Sequence, residues 1–142
     1  MNECEMKQRT KTFALRVIKL VESLPDKLTA RCIAQQLVRS GTSVAANYRA
    51  VCRARSKADF IAKLGIVEEE ADESAFWIEM LVDAGLVSAK RVADLLDEAG
   101  QLTAIVVASR KSASRMGPKL APLNPPMHDA LENRPSKIQN EQ

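Results

Sequence analysis

An acidic run near the middle of the chain is the first feature that could do chemistry. Residues 68–73 read Glu-Glu-Glu-Ala-Asp-Glu, and four-helix bundles that hold iron or manganese use carboxylates together with Glu-x-x-His motifs. The single histidine, His128, lies near the C-terminus and far from this run. Three successive helical carboxylates also point about 100° apart, so they cannot converge on one ion. We therefore interpret the run as a charged surface and predict neither a metal site nor another cofactor.

Groups for nucleophilic catalysis are also missing from the sequence pattern. No serine or cysteine has a histidine available as a base, and no Gly-rich phosphate loop occurs. Cys4, Cys32 and Cys52 are widely spaced and form no CxxC pair. We expect reduced thiols, with Cys32 and Cys52 packed as small hydrophobic residues. No catalytic residue can be assigned.

A ridge of basic residues is the first feature that favours a function. If Val44 points into a core, several arginines of the same helix point the opposite way, and two more basic residues follow at the next turn. The ridge consists of Arg31, Arg39, Arg49, Arg53, Arg55 and Lys57. It fits the phosphate backbone of RNA or DNA, bound in a salt-sensitive way without reading bases. Two alternatives stay open: an ion-paired contact with the acidic third helix of a neighbouring subunit, and a solvated face.

An apolar surface opposite the predicted core is the second such feature. Phe76 and Met80 lie nearly opposite Ile78, and Trp77 lies on the flank between them. Residues 105–108 (Ile-Val-Val-Ala) make a full turn of the next helix apolar. A bundle needs one buried face per helix, so a second apolar face predicts contact between subunits. The alternative is cover by the N-terminal residues or by the tail.

These side chains must be positioned by helices, because apolar residues recur at steps of three and four. The first helix is predicted over residues 7–24, with Phe13, Val17, Leu20 and Leu24 as its stripe, and Pro25 stops it. The second is predicted over residues 29–54, with Thr29 as N-cap. Its stripe is Ile33, Leu37, Ser40, Val44, Asn47 and Val51. Residues 40–43 (Ser-Gly-Thr-Ser) are poor helix formers, so we expect a kink or a brief break there.

The third and fourth helices have clearer limits. Ser56 is predicted to cap the third helix, Gly85 to end it, and Ser88 to cap the fourth, which fades near Arg115. The third stripe is Phe60, Leu64, Val67, Ala71, Ser74, Ile78 and Leu81. The fourth stripe is Val92, Leu95, Ala99, Leu102, Val106, Ser109 and Ala113.

The domain organisation follows from these elements. We predict an all-α, antiparallel up-and-down four-helix bundle over residues 1–115, because long helices with short connections make antiparallel neighbours. Residues 116–142 contain five of the six prolines and are predicted to form a flexible, disordered tail. No signal peptide or membrane span is apparent, so we expect a cytoplasmic protein with no membrane partner.

The net charge of +3 conceals a strong asymmetry along the chain. Residues 1–64 have 13 Lys and Arg against 5 Asp and Glu. Residues 65–100 have 2 against 10, and residues 101–142 have 6 against 3. Basic and acidic segments are therefore separated along the sequence, and the chain is not uniformly basic.

Three stretches of the chain resemble a known family. They are residues 40–49 (SGTSVAANYR), 53–60 (RARSKADF) and 65–73 (GIVEEEADE), and they are similar to the four-helix bundle proteins encoded within intervening sequences of 23S rRNA genes. The similarity spans roughly residues 10–114. Asn47, Ser56 and Phe60 match family positions, as do the basic residues Arg49, Arg53 and Arg55. Ala50 stands where many members have an acidic residue, so any link made by that acid is missing here.

The resemblance implies an assembly and partners as well as a fold. Family members and their relatives, the accessory proteins of diversity-generating retroelements, are pentameric barrels. Those relatives bind nucleic acid and a reverse transcriptase through a basic surface. A homopentamer is therefore expected, with RNA, DNA or a reverse transcriptase as partners. The family has no assigned catalytic residues, so none can be transferred.

Three classes of function remain: a nucleic-acid-associated accessory protein that assembles with itself, a protein-binding scaffold without nucleic-acid affinity, and an enzyme. The first is favoured over the second. The third has no residues to support it.

The predicted boundary near residue 116 can be tested by limited proteolysis. We expect a protease to remove the residues after about Met116 while the rest stays folded, because a Pro-rich polar segment buries little. Circular dichroism should show helix in about two-thirds of the chain, since the tail adds none. A tail that resists digestion would show that it packs and would contradict the boundary.

Overall fold

The computed structural model describes residues 1–116. The helices are α1 (Glu3–Glu22), α2 (Leu28–Val51), α3 (Lys57–Asp83) and α4 (Ala89–Arg115). Short loops join them, and each packs against its neighbours in the order α1, α2, α3, α4, with the α1–α4 seam the least extensive. The predicted antiparallel four-helix bundle is confirmed. None of these helices has an apolar stretch that could span a lipid bilayer. The predicted tail lies, beyond Met116, outside the described residues.

Each helix buries one stripe of side chains in the core, as the spacing predicts. Every residue of the stripes predicted for α3 and α4 is buried. In α1, Phe13, Val17 and Leu20 are buried, whereas Leu24 lies in the following loop and is half-buried. In α2, two members of the predicted stripe, Ile33 and Asn47, are only half-buried. Tyr48, which is 1% exposed, occupies the core position predicted for Asn47.

The limits predicted for α3 and α4 are confirmed. The Ser56 hydroxyl accepts a hydrogen bond from the Asp59 backbone N–H at 3.0 Å, and Ser88 does the same for Arg91 at 3.3 Å. After α3, Gly85 has φ of 73°. The Leu86 N–H donates to the Leu81 carbonyl and the Gly85 N–H to the Val82 carbonyl, each at 2.9 Å. This is the Schellman arrangement, which requires a left-handed residue at the glycine position.

The limits predicted for α1 and α2 need correction. Helix α1 begins at Glu3, because Asn2 and Glu5 form a capping box: each backbone N–H donates to the side chain of the other, at 2.7 and 2.8 Å. Helix α2 begins at Leu28, so Thr29 is not its cap. The N-cap residue is Lys27, which makes no capping hydrogen bond with its side chain. The helices also end earlier than predicted, at Glu22 and Val51 instead of residues 24 and 54.

The break predicted at residues 40–43 is absent, and α2 is continuous there. The Ser40 and Thr42 hydroxyls donate to carbonyls of their own helix, at Leu37 and Val38, so both hydroxyls have partners within it. Gly41 is buried where α1 approaches closely: a Cβ built on it would lie 2.9 Å from both methyl groups of Val17. The absence of a side chain at Gly41 thus lets α1 and α2 pack closely together.

A pair of glycine substitutions tests this contact. Gly41→Ala should lower the free energy of unfolding by about 1–3 kcal/mol, because Val17 is fully buried and β-branched and cannot move aside. Gly100→Ala should raise it by about 0.5–1 kcal/mol, because that helical glycine has open space around it. Urea denaturation followed by circular dichroism measures both. Equal effects at the two sites would contradict the close approach.

Candidate nucleic-acid interface

The predicted basic ridge divides into two groups along α2. At the N-terminal end, Arg31 pairs with Asp26 and Arg39 pairs with two carboxylates of α3. Lys57, at the start of α3, donates to the Met116 carbonyl at the end of α4. These three basic groups already have partners within the chain. They are therefore less available to phosphates than the rest of the ridge.

The carboxylates that bind Arg39 belong to the acidic run of α3. One guanidinium nitrogen lies 3.3 Å and 3.4 Å from the two carboxylate oxygens of Glu70, and the other bonds to Glu73. The Trp77 indole N–H also donates to Glu73, at 3.3 Å. Arg39 thus pairs with the acidic helix of its own chain, whereas the predicted alternative was a pair with the acidic helix of a neighbouring subunit.

The C-terminal group of the ridge surrounds a cleft at the turn between α2 and α3. Arg49, Arg53 and Arg55 line it from α2 and the turn, and Lys63 lines it from α3. Its volume is about 640 Å³, and Ala46 and Ala50 lie at its base. Among residues 1–116 no carboxylate pairs with the side chains of Arg49 or Arg53, and both residues are exposed. Two free guanidinium groups therefore flank an open cleft.

A second cleft adjoins the first across α2. It lies between α1 and α2, has a volume of about 500 Å³, and is lined by Lys7 and Lys11 of α1 together with Arg49. Ala46 and Arg49 belong to both clefts. Because these two residues line both clefts, the clefts adjoin and together form one path over α2. We call the six basic residues along it the basic band: Lys7, Lys11, Arg49, Arg53, Arg55 and Lys63.

Two carboxylates lie beside the basic band. Asp59 accepts hydrogen bonds from the Lys63 ammonium and from the Arg55 backbone N–H, which together lower the pKa of Asp59. Glu3 lies 3.1 Å from the Lys7 ammonium and raises the pKa of that lysine. The band thus has six cations against two anions. Its balance is strongly positive, which favours an anionic ligand.

Sequence reasoning missed half of the basic band. Lys7, Lys11 and Lys63 lie on two other helices, and they join α2 only through the packing order of the bundle. The i, i+4 spacing of Lys7 and Lys11 places them on one face of α1, which is a weak signal. Nothing in the sequence says that this face borders Arg49.

The predicted interface residues lie at the other end of α3. Phe76 is 49% exposed and Met80 is 37% exposed, while Trp77 is half-buried. The rings of Phe76 and Trp77 meet edge to face, with centroids 4.9 Å apart. We call Phe76, Trp77 and Met80 the α3 patch. The structure places it far from the basic band, since α3 runs about 1.5 Å per residue from Lys63 to Phe76.

Two buried polar groups lie beneath the band near the start of α1. The Tyr48 hydroxyl is buried without a standard hydrogen-bond partner, and burial raises its pKa well above the usual value. Burial also raises the pKa of the Cys52 thiol to about 12, with Glu3 adding to the effect. Cys52 is half-buried as expected, but Cys32 is exposed, so its predicted packing is wrong. Cys32 lies on the first turns of α2, outside the stripe that faces the core.

The acidic run lies on α3 as interpreted from the sequence. Glu68 binds Arg110 of α4 at 2.7 Å, whereas Glu70 lies on the opposite flank and binds Arg39 of α2. Within residues 1–116, no three His, Cys, Asp or Glu side chains are grouped closely enough to hold a metal ion. These carboxylates connect α3 to both of its neighbours.

The fold and the site together define a small antiparallel four-helix bundle with a basic path at one end. The chain belongs to the family of 23S rRNA-intervening sequence proteins, whose profile matches residues 2–108. It is similar to a crystal structure from Bacteroides thetaiotaomicron, that of a protein of unknown function in the S23 ribosomal protein family. The two share 29% identity and a TM-score of 0.72, over 78% of this chain and 99% of that one. No curated protein matches the chain.

The thiols provide a test of the geometry around the band. At pH 8 we expect Cys4 and Cys32, which are exposed, to react readily with a disulfide reagent. Cys52 should react far more slowly, because a thiol with a pKa of about 12 is only about 10⁻⁴ ionised at that pH. Mass spectrometry of the modified peptides identifies each site. Three equal rates would contradict the burial of Cys52.

Proposed function

We propose that this protein is a non-catalytic accessory protein that assembles with itself and binds RNA or DNA through the basic band. The observation that carries the proposal is the convergence of six basic side chains from three helices on one continuous path. Arg49 and Arg53, near the centre of this path, have no carboxylate partner within residues 1–116. A phosphate backbone supplies the anions that such groups bind.

The chemistry of the path favours phosphates over bases. Arginine binds phosphate with two parallel N–H donors, and lysine does so as a point charge. Neither of the two clefts is lined by an aromatic ring on which a base could stack. Binding should therefore be steeply salt-dependent and weakly selective for sequence.

Self-assembly would strengthen this binding. The resemblance to pentameric relatives implies that five copies form a ring, and the exposed α3 patch supports contact between copies. A ring would present five basic bands, so several phosphate segments could bind at once with a higher effective concentration. A reverse transcriptase stays a predicted partner on the strength of the resemblance alone.

A protein-binding scaffold without nucleic-acid affinity is the second candidate. The α3 patch favours it, because exposed aromatic and Met side chains are typical of protein contacts. This reading gives the basic band no role. The two candidates therefore differ in whether removing the positive charge of the band changes nucleic-acid binding.

The test exchanges Arg49 and Arg53 for Glu. Affinity for RNA or DNA of any sequence should fall by about 10- to 100-fold at low salt, and the slope of log affinity against log salt should flatten by about 1 to 2. The matched control is the pair Lys90→Glu and Lys111→Glu, which makes the same charge change on exposed positions of α4. Fluorescence anisotropy measures binding, and light scattering measures assembly.

The outcomes separate the alternatives. Equal losses in the variant and the control would mean that total charge, and not the band, drives binding. A variant that loses its assembly would indicate that these arginines pair with the acidic helix of a neighbour. Absence of binding by the wild-type protein at low salt would favour the scaffold. Bound nucleic acid should also protect Cys4, which lines the band, from modification and leave Cys32 reactive.

A further inference from the structure

An apolar groove lies between α1 and α2, at the end of the bundle opposite the basic band. Its walls are half-buried apolar side chains of both helices, and its volume is about 630 Å³. Val21 and Leu24 line one side, and Ala34 and Val38 line the other. Two basic residues of α2, Arg31 and Arg39, and one acidic residue of the preceding loop, Asp26, also line it. The groove has the shape and chemistry to accept apolar side chains from a helix.

We propose that the α3 patch of one copy inserts into this groove of a second copy. The inference rests on the self-assembly in the proposed function and specifies the two surfaces that meet. Phe76 and Met80 are four residues apart, so they project from the same face of α3 one turn apart. Two large apolar side chains in this arrangement are typical anchors for a groove between two helices.

The two surfaces lie at the same level along the bundle. The Ser74 hydroxyl donates to Ser40 at 3.0 Å, and Arg39 bonds to Glu70 and Glu73. These contacts hold the first turns of α2, which line the groove, beside the last turns of α3, which carry the patch. A second copy can therefore bind side by side with little shift along the bundle axis.

The two surfaces also lie on different faces of the bundle. The groove opens between α1 and α2, while Phe76 and Met80 point outward from α3. A contact between unlike surfaces is heterologous, and such a contact makes a ring when it does not shift along the axis and its rotation closes. A patch that met itself would stop at two copies instead.

Charge complements the apolar fit. Glu79 and Asp83 follow Phe76 and Met80 on α3, are exposed, and have no cationic partner among residues 1–116. Arg31, which lines the groove, pairs with Asp26, but both side chains are largely exposed, at 58% and 93%. Such a pair contributes little to stability, so Arg31 can exchange Asp26 for an acid of a second copy. Acids beside the patch would meet a cation beside the groove.

A complementation experiment tests the proposal. One variant blocks the patch with Phe76→Glu and Met80→Glu, and another blocks the groove with Ala34→Glu. Each alone should lose self-assembly and have the mass of a single chain, 15.6 kDa, because each ring contact needs both surfaces. Mixed together they should form a complex of two chains and nothing larger, because one intact patch and one intact groove remain. Light scattering after size exclusion measures the masses.

A charge control and a check of folding accompany these variants. Ala62→Glu adds one negative charge, as Ala34→Glu does, but on the exposed face of α3 about 20 Å from Phe76. This variant should leave assembly unchanged. Circular dichroism must show wild-type helix for every variant, and Val38→Glu replaces Ala34→Glu if the latter unfolds. A groove variant that still assembles, or a mixture without the two-chain complex, would overturn this inference and leave self-assembly standing. A monomeric wild-type protein would overturn both.

Discussion

The register between α2 and α3 is the constraint on which the other features depend. The hydroxyls of Ser40 and Ser74 meet inside the core, and the bond to its own helix satisfies Ser40 as a donor. A buried hydroxyl without a partner lowers the stability of the folded state. A slip of one turn between these helices would separate the two hydroxyls and would therefore destabilise the bundle. Outside the core, Arg39 bonds to two carboxylates of α3 and reinforces the same alignment. This register places the start of α3 beside the last turns of α2, where the cleft of Arg49 and Arg53 lies, and the α3 patch beside the first turns of α2.

Many of the acidic residues concentrated in the middle of the sequence form ion pairs with basic residues of other helices. Glu68 binds α4, Glu70 and Glu73 bind α2, and Glu98 of α4 forms a two-pronged bond with Arg9 of α1 at 2.7 Å. That last contact joins the least extensive seam of the bundle. Most acids of α3 lie toward its middle and C-terminal end. The exception, Asp59 in the first turn, bonds to the Lys63 ammonium and to the Arg55 backbone N–H, not to the side chains of Arg49 or Arg53. Arg49 and Arg53 consequently keep their charges available.

The bundle therefore has two ends with different chemistry. The end at the turn between α2 and α3 presents cations over alanine side chains, which suits a phosphate backbone. The other end presents exposed aromatic and aliphatic side chains beside an apolar groove, which suits a protein surface. Since about 20 Å of rigid helix separates them, both surfaces can be occupied at once.

Sequence periodicity by itself determined the four helices, the core stripes of α3 and α4, and their caps at Ser56 and Ser88, because these depend on local spacing and local hydrogen bonds. It also identified Arg49 and Arg53, since outward residues of one helix follow from its inward ones. It failed at Gly41, where low helix propensity was read as a break although the residue makes room for Val17. Only the tertiary structure decided which basic residues share a path, because Lys7, Lys11 and Lys63 reach it from other helices. It alone showed that Arg39 is bound within the chain, because a long side chain's partner depends on which helix lies beside it.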